Sequence, residues 1–202
     1  MNNCIFDEIY KKVPKDQKER LRGFVVHIHK YVMIAGVDWE YISCGRGAEA
    51  LVLLPGGARF GETWFRLIMA LENEYRIISP TYPPATKMAE LVDGIAHILE
   101  SEDIEQAHLL RTSFGGWLAQ CFIRKCPEKV DRLILSNTSG PDAISAKLVK
   151  DDAPAFRASA REALKTLYPQ AQVHTFYNAG HTPGYIRTEE YVSIVRNFLQ
   201  EK

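Results

Sequence analysis

The chain of 202 residues reads as an α/β protein: a mostly parallel sheet with helices on both faces, preceded by an antiparallel hairpin. Two observations predict this. From Ala50 onward, short continuous apolar runs (ALVLL, YRIIS, AHLL, DRLIL) alternate with segments of helical period (ETWFRLIMALEN, MAELVDGIAHILES, GGWLAQCFIRKC). That is the pattern of strands buried on both faces and joined by helical crossovers. Upstream, FVVHIHKYVMIAGVDWEYISCGRG sets two β-rich runs on either side of Ala35-Gly36, which marks a hairpin.

The elements follow in order. An amphipathic opening around CIFDEIYKKV precedes the hairpin, and residues 1–30 form an N-terminal extension. His27 and His29 share one strand face and could grip a metal, but no third ligand is in sight, so no metal site is expected and the face is read as exposed. Trp64 and its neighbours pack a helix on the sheet, with Trp64 close to the Gly57 turn. Thr81-Tyr82-Pro83-Pro84 ends a strand either as a pocket wall or as a rigid turn. Asp93 and His97, four apart, could pair on a helix surface and carry no catalytic weight. After Ser139 come a helical REALKTLYP, a strand-like QVHTFYN, a Gly-His turn and a closing amphipathic helix from about Glu189.

Composition bounds the function. The chain is 46% hydrophobic and 25% charged, enough for one domain spanning 1–202. Lys and Arg balance Asp and Glu at 25 each, which argues against nucleic acid as a partner. No apolar run approaches a membrane span, and the first residues are charged where a signal peptide is apolar, so a cytoplasmic protein is expected. Cys4, Cys44, Cys121 and Cys126 form no CxxC pair and are expected as free thiols.

The chemistry concentrates at LLRTSFGGW. Ser113 stands between a strand and a helix, where a nucleophile elbow holds its serine on a strained turn and needs small residues two before and two after. Gly115 meets that need; Arg111 stands where the pattern has glycine and is expected to crowd the turn or lever it open. Pro55-Gly56-Gly57 follows the preceding strand of the series and is either a plain tight turn or, with the Phe114 amide, an oxyanion hole. In YNAGHTP, His181 follows a strand-like run and a flexible Ala-Gly pair, where a loop histidine can reach a serine.

Over Tyr31 to Lys202 the chain resembles the α/β-hydrolases, on CGRGAEALVLLPGG, TSFGGWLAQ, PEKVDRLILSNT and NAGHTP with its following helix. The resemblance implies a mostly parallel α/β-hydrolase sheet in which Ser113 attacks, His181 shuttles the proton, and Gly57 and Phe114 bind the oxyanion. The family's acid turn matches KDDAPAF, which puts Lys150 at the glycine and Ala153 at the acid. Asp152, one residue early, is the first candidate acid, with Asp142, after the strand ending near Ser139, second and Asp151 behind them.

The family inserts a cap domain near 140–150, and here it is expected to be absent. Only about seven residues separate the strand ending near Ser139 from AKLVK, whereas a parallel crossover needs roughly a dozen. The implied function is a serine hydrolase cleaving small esters or related acyl substrates through an acyl-enzyme, with no metal or organic cofactor. The alternative is a catalytically weak or inactive binding protein with a protein partner. RIISPTYP and the helix after it resemble the maspardin branch of the family, which suggests that alternative.

Overall fold

The computed structural model describes residues 11, 15–24, 29–84, 87–137 and 162–201. Helix α1 (Lys15–Phe24) leads into β1 (His29–Ile34) and β2 (Val37–Cys44), then β3 (Ala50–Leu54). A 3-10 turn (Gly61–Trp64) and α2 (Phe65–Leu71) lead to β4 (Arg76–Thr81), α3 (Met88–Ser101), β5 (Ala107–Thr112) and α4 (Phe114–Lys125). After β6 (Val130–Ser136) come a helical stretch over 162–167, α5 (Pro183–Ile186) and α6 (Thr188–Gln200). CIFDEIYKKV (apart from Lys11), His27 and the segment holding AKLVK, Asp142, Asp151 and Asp152 lie outside the described residues.

The expected hairpin is β1 against β2. Ala35 (φ 51°) and Gly36 (φ 80°) both take left-handed backbone, as the two-residue turn that matches strand twist requires. That turn fixes the register, with His29 opposite Ile42 and Tyr31 opposite Glu40. The six-stranded sheet runs β1-β2-β4-β3-β5-β6, antiparallel across the first three strands and parallel from β4 to β6.

Two apolar layers flank the sheet. Trp39, Leu91, Ile95 and Phe122 pack α3 and α4 over Val52, Leu54 and Leu109 on one face. Phe24, Leu67, Ile68 and Val195 pack α1, α2 and α6 over Leu51, Leu53 and Leu110 on the other. All five residues of β3 are buried, which is why its run is apolar without alternation. Because α2 covers one face and α3 the other, the chain departs in opposite directions around β3. The strand order therefore switches between β3 and β5, and a crevice opens at their carboxyl ends.

One expectation is corrected and two open readings are decided. QVHTFYN is not a strand: residues 171–176 pair with no ladder. Its Phe176 stacks on Tyr191 of α6 at 5.6 Å, and His174 meets Glu190 at 3.5 Å, so its alternate residues are held by a helix face. Asp93 pairs with Lys125 of α4, and His97 is exposed. Tyr82 is buried and its hydroxyl donates to the Pro55 carbonyl, as the rigid-turn reading requires. Cys44, Cys121 and Cys126 are free thiols as expected, and burial pushes the Cys44 thiol up to about 12.

Candidate active site

Ser113 ends β5 and begins α4 at φ 49° and ψ −120°, a conformation that costs a non-glycine residue about 1–3 kcal/mol. The surroundings hold it there. The Ser113 amide donates to the Ser136 carbonyl at 3.3 Å, and its carbonyl accepts from the Gly116 amide at 2.9 Å. Gly115 is required: a Cβ there would stand 2.6 Å from the carbonyl oxygens of both Leu54 and Pro55. The close passage of helix over strand that the sequence pattern demanded is present. Phe114 is the first residue of α4, so its amide lies in the first turn, where the helix ladder supplies no acceptor.

The Pro55-Gly56-Gly57 turn faces Ser113 from the tip of β3, and a Cβ on Gly56 would lie 3.3 Å from the Ser113 Cβ. Tyr82 braces the turn from behind, donating to Pro55 at 3.1 Å while its ring meets Phe114 edge-on at 6.0 Å. Gly57, Ser113 and His181 line one cavity of about 390 Å³, together with Trp64, Tyr185 and Tyr191. Trp64 thus belongs both to the buried core and to the cavity wall. Ser136, Tyr185 and Tyr191 were not foreseen in the wall, because nothing local marks a strand-end serine or a helix tyrosine as facing a cavity two elements away.

His181 is exposed and sits just before α5. The Asn137 side-chain amide donates to its carbonyl at 2.7 Å, tying the loop to the end of β6. From the other side, Arg66 donates to the Tyr185 carbonyl at 2.8 Å and stacks 5.4 Å from its ring, while the Tyr185 hydroxyl donates to the Thr63 carbonyl. Among the described residues no carboxylate reaches the His181 imidazole. Asp142, Asp151 and Asp152 lie outside the described residues, as do Lys150 and Ala153.

Arg111 does not lever the elbow open. It continues β5 in register, opposite Leu54 and Leu135, with Ser113 still in its strained turn. Its side chain is fully buried; one Nη donates weakly to the Ser136 carbonyl at 3.4 Å, and among the described residues Nε and the other Nη have no partner. Burial holds this guanidinium well below its ordinary pKa.

No family model matches the chain. Epoxide hydrolase 4 of Mus musculus is 26% identical over 145 residues, 65% of this chain and 40% of that protein. Maspardin of Danio rerio is 33% identical over 98 residues, 46% of this chain and 31% of that protein. The chain therefore spans less than half the length of these curated relatives. A crystal structure of a predicted CIB-like hydrolase from Thermoplasma acidophilum superposes with a TM-score of 0.71 over 86% of this chain and 98% of that one, at 14% identity. This chain has the α/β-hydrolase fold.

Within the α/β-hydrolase fold, the crevice between β3 and β5 is the expected ligand position, and the Ser113 cavity lies there. Among the described residues the hydrolase sheet ends at β6, most of whose residues are partly exposed. No helix among them is long and apolar enough to cross a membrane.

Proposed function

We propose that this α/β-hydrolase-fold chain is a serine hydrolase cleaving small ester or related acyl substrates. The observation that carries the reading is Ser113 at φ 49° on a strand-to-helix turn, lining one cavity with Gly57 and His181. In the proposed reaction Ser113 Oγ attacks the substrate carbonyl carbon as its proton passes to the His181 imidazole. The oxyanion that forms accepts hydrogen bonds from the Gly57 and Phe114 amides. Collapse expels the alcohol, which takes the proton from His181, and water then hydrolyses the acyl-enzyme by the same proton path. Asp152, with Asp142 second, is the proposed acid that orients His181. Trp64, Leu67 and Tyr185 offer the acyl group an apolar wall.

The test is labelling of the intact chain with a fluorophosphonate. Uptake mapped to the peptide containing Ser113 and absent in Ser113→Ala is the expected result. No uptake by the intact chain, or equal uptake by Ser113→Ala, overturns the enzyme reading.

One observation favours a second reading, a binding protein of maspardin type with weak or no chemistry: Arg111 stands fully buried two residues before Ser113, where the elbow pattern has glycine, in a chain that is similar to maspardin. It expects a labelled Ser113 without turnover of activated esters.

A further inference from the structure

His29, Glu40 and Glu62 come from three separate segments, β1, β2 and the 3-10 turn after Gly57, yet one donor atom from each lies within 4.8 Å of the other two. The hairpin register does the first part. Tyr31 stands opposite Glu40, so His29, two residues along, projects on the same face as Tyr31 and is the diagonal neighbour of Glu40. The imidazole Nδ1 meets Glu40 Oε1 at 2.6 Å and Glu62 Oε1 at 3.8 Å. We propose that His29, Glu40 and Glu62 form a binding site for one divalent transition-metal ion of the zinc class.

The geometry fits such an ion. With Zn–N and Zn–O bonds of about 2.0–2.2 Å, neighbouring tetrahedral donors stand roughly 3.4 Å apart. The two measured separations fall on either side of that value. A small closing of Glu62 and opening of Glu40 brings all three donors to one point, with the remaining position left to water. The donor set, one imidazole nitrogen and two carboxylate oxygens, suits zinc better than calcium or magnesium, which take oxygen ligands.

Two further observations point to a cation. The Glu62 side chain is 40% exposed, yet its second oxygen, Oε2, is itself shielded and has no hydrogen-bond partner among the described residues. Among the described residues, no Lys or Arg pairs with Glu40 or Glu62, so the two carboxylates face each other with only an imidazole and the Tyr31 hydroxyl between them. Tyr31 donates to Glu40 Oε1 at 3.0 Å, the kind of outer contact that orients a metal-binding carboxylate.

None of the three ligands lines the Ser113 cavity, but Thr63 and Trp64, next in chain to Glu62, do. The ion therefore pins the β1-β2 hairpin to the segment that follows the Gly57 turn. Its role is structural and independent of whether Ser113 is a nucleophile.

The experiment is titration of the full chain, first stripped with EDTA, with Co2+ followed by visible absorption and with Zn2+ followed by calorimetry and melting. The expected result is one ion per chain, cobalt bands of low coordination number, and a melting temperature that rises with zinc. His29→Ala and Glu62→Gln should each weaken binding by at least about tenfold, while His97→Ala, at an exposed histidine elsewhere, leaves it unchanged. Glu62→Gln keeps the side-chain shape, and its melt in EDTA, matched to that of the unaltered chain, shows that lost binding is not lost folding. No saturable uptake at millimolar cobalt, or equal uptake by both ligand variants, overturns the site.

Discussion

The Tyr82 hydroxyl donates to the Pro55 carbonyl at 3.1 Å, so a buried side chain at the end of β4 sets the position of a turn at the end of β3. Burial pushes this phenol well above its ordinary pKa, so it stays a neutral donor at any working pH. Tyr82→Phe removes the donor and leaves the Pro55 carbonyl without it, which should cost about 1–2 kcal/mol of stability. If Gly57 binds the oxyanion as proposed, its less firmly placed amide should lower kcat on an activated ester while KM changes little. Urea melts and initial rates on one preparation separate the two effects; an unchanged kcat would mean that the turn holds without its brace.

Gly115 and Gly57 separate a steric requirement from a spacious one. Gly115→Ala drives a methyl into the backbone oxygens of Leu54 and Pro55, which cannot retreat without parting β3 from α4. Loss of several kcal/mol or failure to fold is expected, above the usual range for single changes. Gly57→Ala meets nothing within 4 Å and should leave stability within about 0.5 kcal/mol. Thermal melts of the two variants check the contrast.

Much of this was legible because the strands and the elbow carry local signals. β3 to β6 announce themselves by apolar runs, α3 and α4 by helical period, and Ser113 by the small residue Gly115. QVHTFYN misleads because alternation reports only that one side is covered, not by what; here α6 covers it. The Glu40 and Glu62 partners of His29 were invisible for another reason. Their approach depends on a hairpin register and on a turn that returns to the hairpin from beyond β3, neither of which has a mark at residue 29. Arg111 read as a steric fault, whereas strand register and burial absorb its length and leave its charge as the anomaly.

Glu102 ties the hairpin to the far side of the sheet. Its buried carboxylate accepts from Lys30 at 2.7 Å, Tyr41 at 2.8 Å, Arg76 at 2.9 Å and Ser43 at 3.1 Å. Burial alone pushes its pKa up, but the bonds from Lys30, Tyr41 and Arg76 outweigh burial and hold it below the ordinary 4.5. The folded value is the lower one, so this stabilisation is complete above the unfolded pKa and fades as pH falls through the folded one. Lys30 and Arg76 are part-exposed and screened, so Glu102→Gln should cost only about 2 kcal/mol at neutral pH. The variant's stability should also fall less steeply than that of the unaltered chain from about pH 5 downward. Parallel acid limbs in urea melts would show that the carboxylate's charge contributes nothing.

Arg111 offers the opposite case, a buried charge whose neighbours do little to stabilise it. Among the described residues, two of its three guanidinium nitrogens have no partner, and the third makes a long bond to Ser136. Removing such a charge while keeping volume is often neutral or stabilising by about 1–4 kcal/mol, because the desolvation cost disappears and packing stays. Arg111→Met should therefore raise the melting temperature. Arg111→Gly also removes the charge but leaves an empty space between Leu54 and Leu135, and the cavity term should cancel part or all of the gain. The two variants divide the possible outcomes by sign. If Arg111→Met melts higher than the unaltered chain and Arg111→Gly melts below Arg111→Met, the arginine is a desolvation cost carried next to the elbow. If Arg111→Met melts lower by several degrees, the guanidinium is stabilised by more than its weak bond to Ser136, and the argument from its unpartnered nitrogens fails.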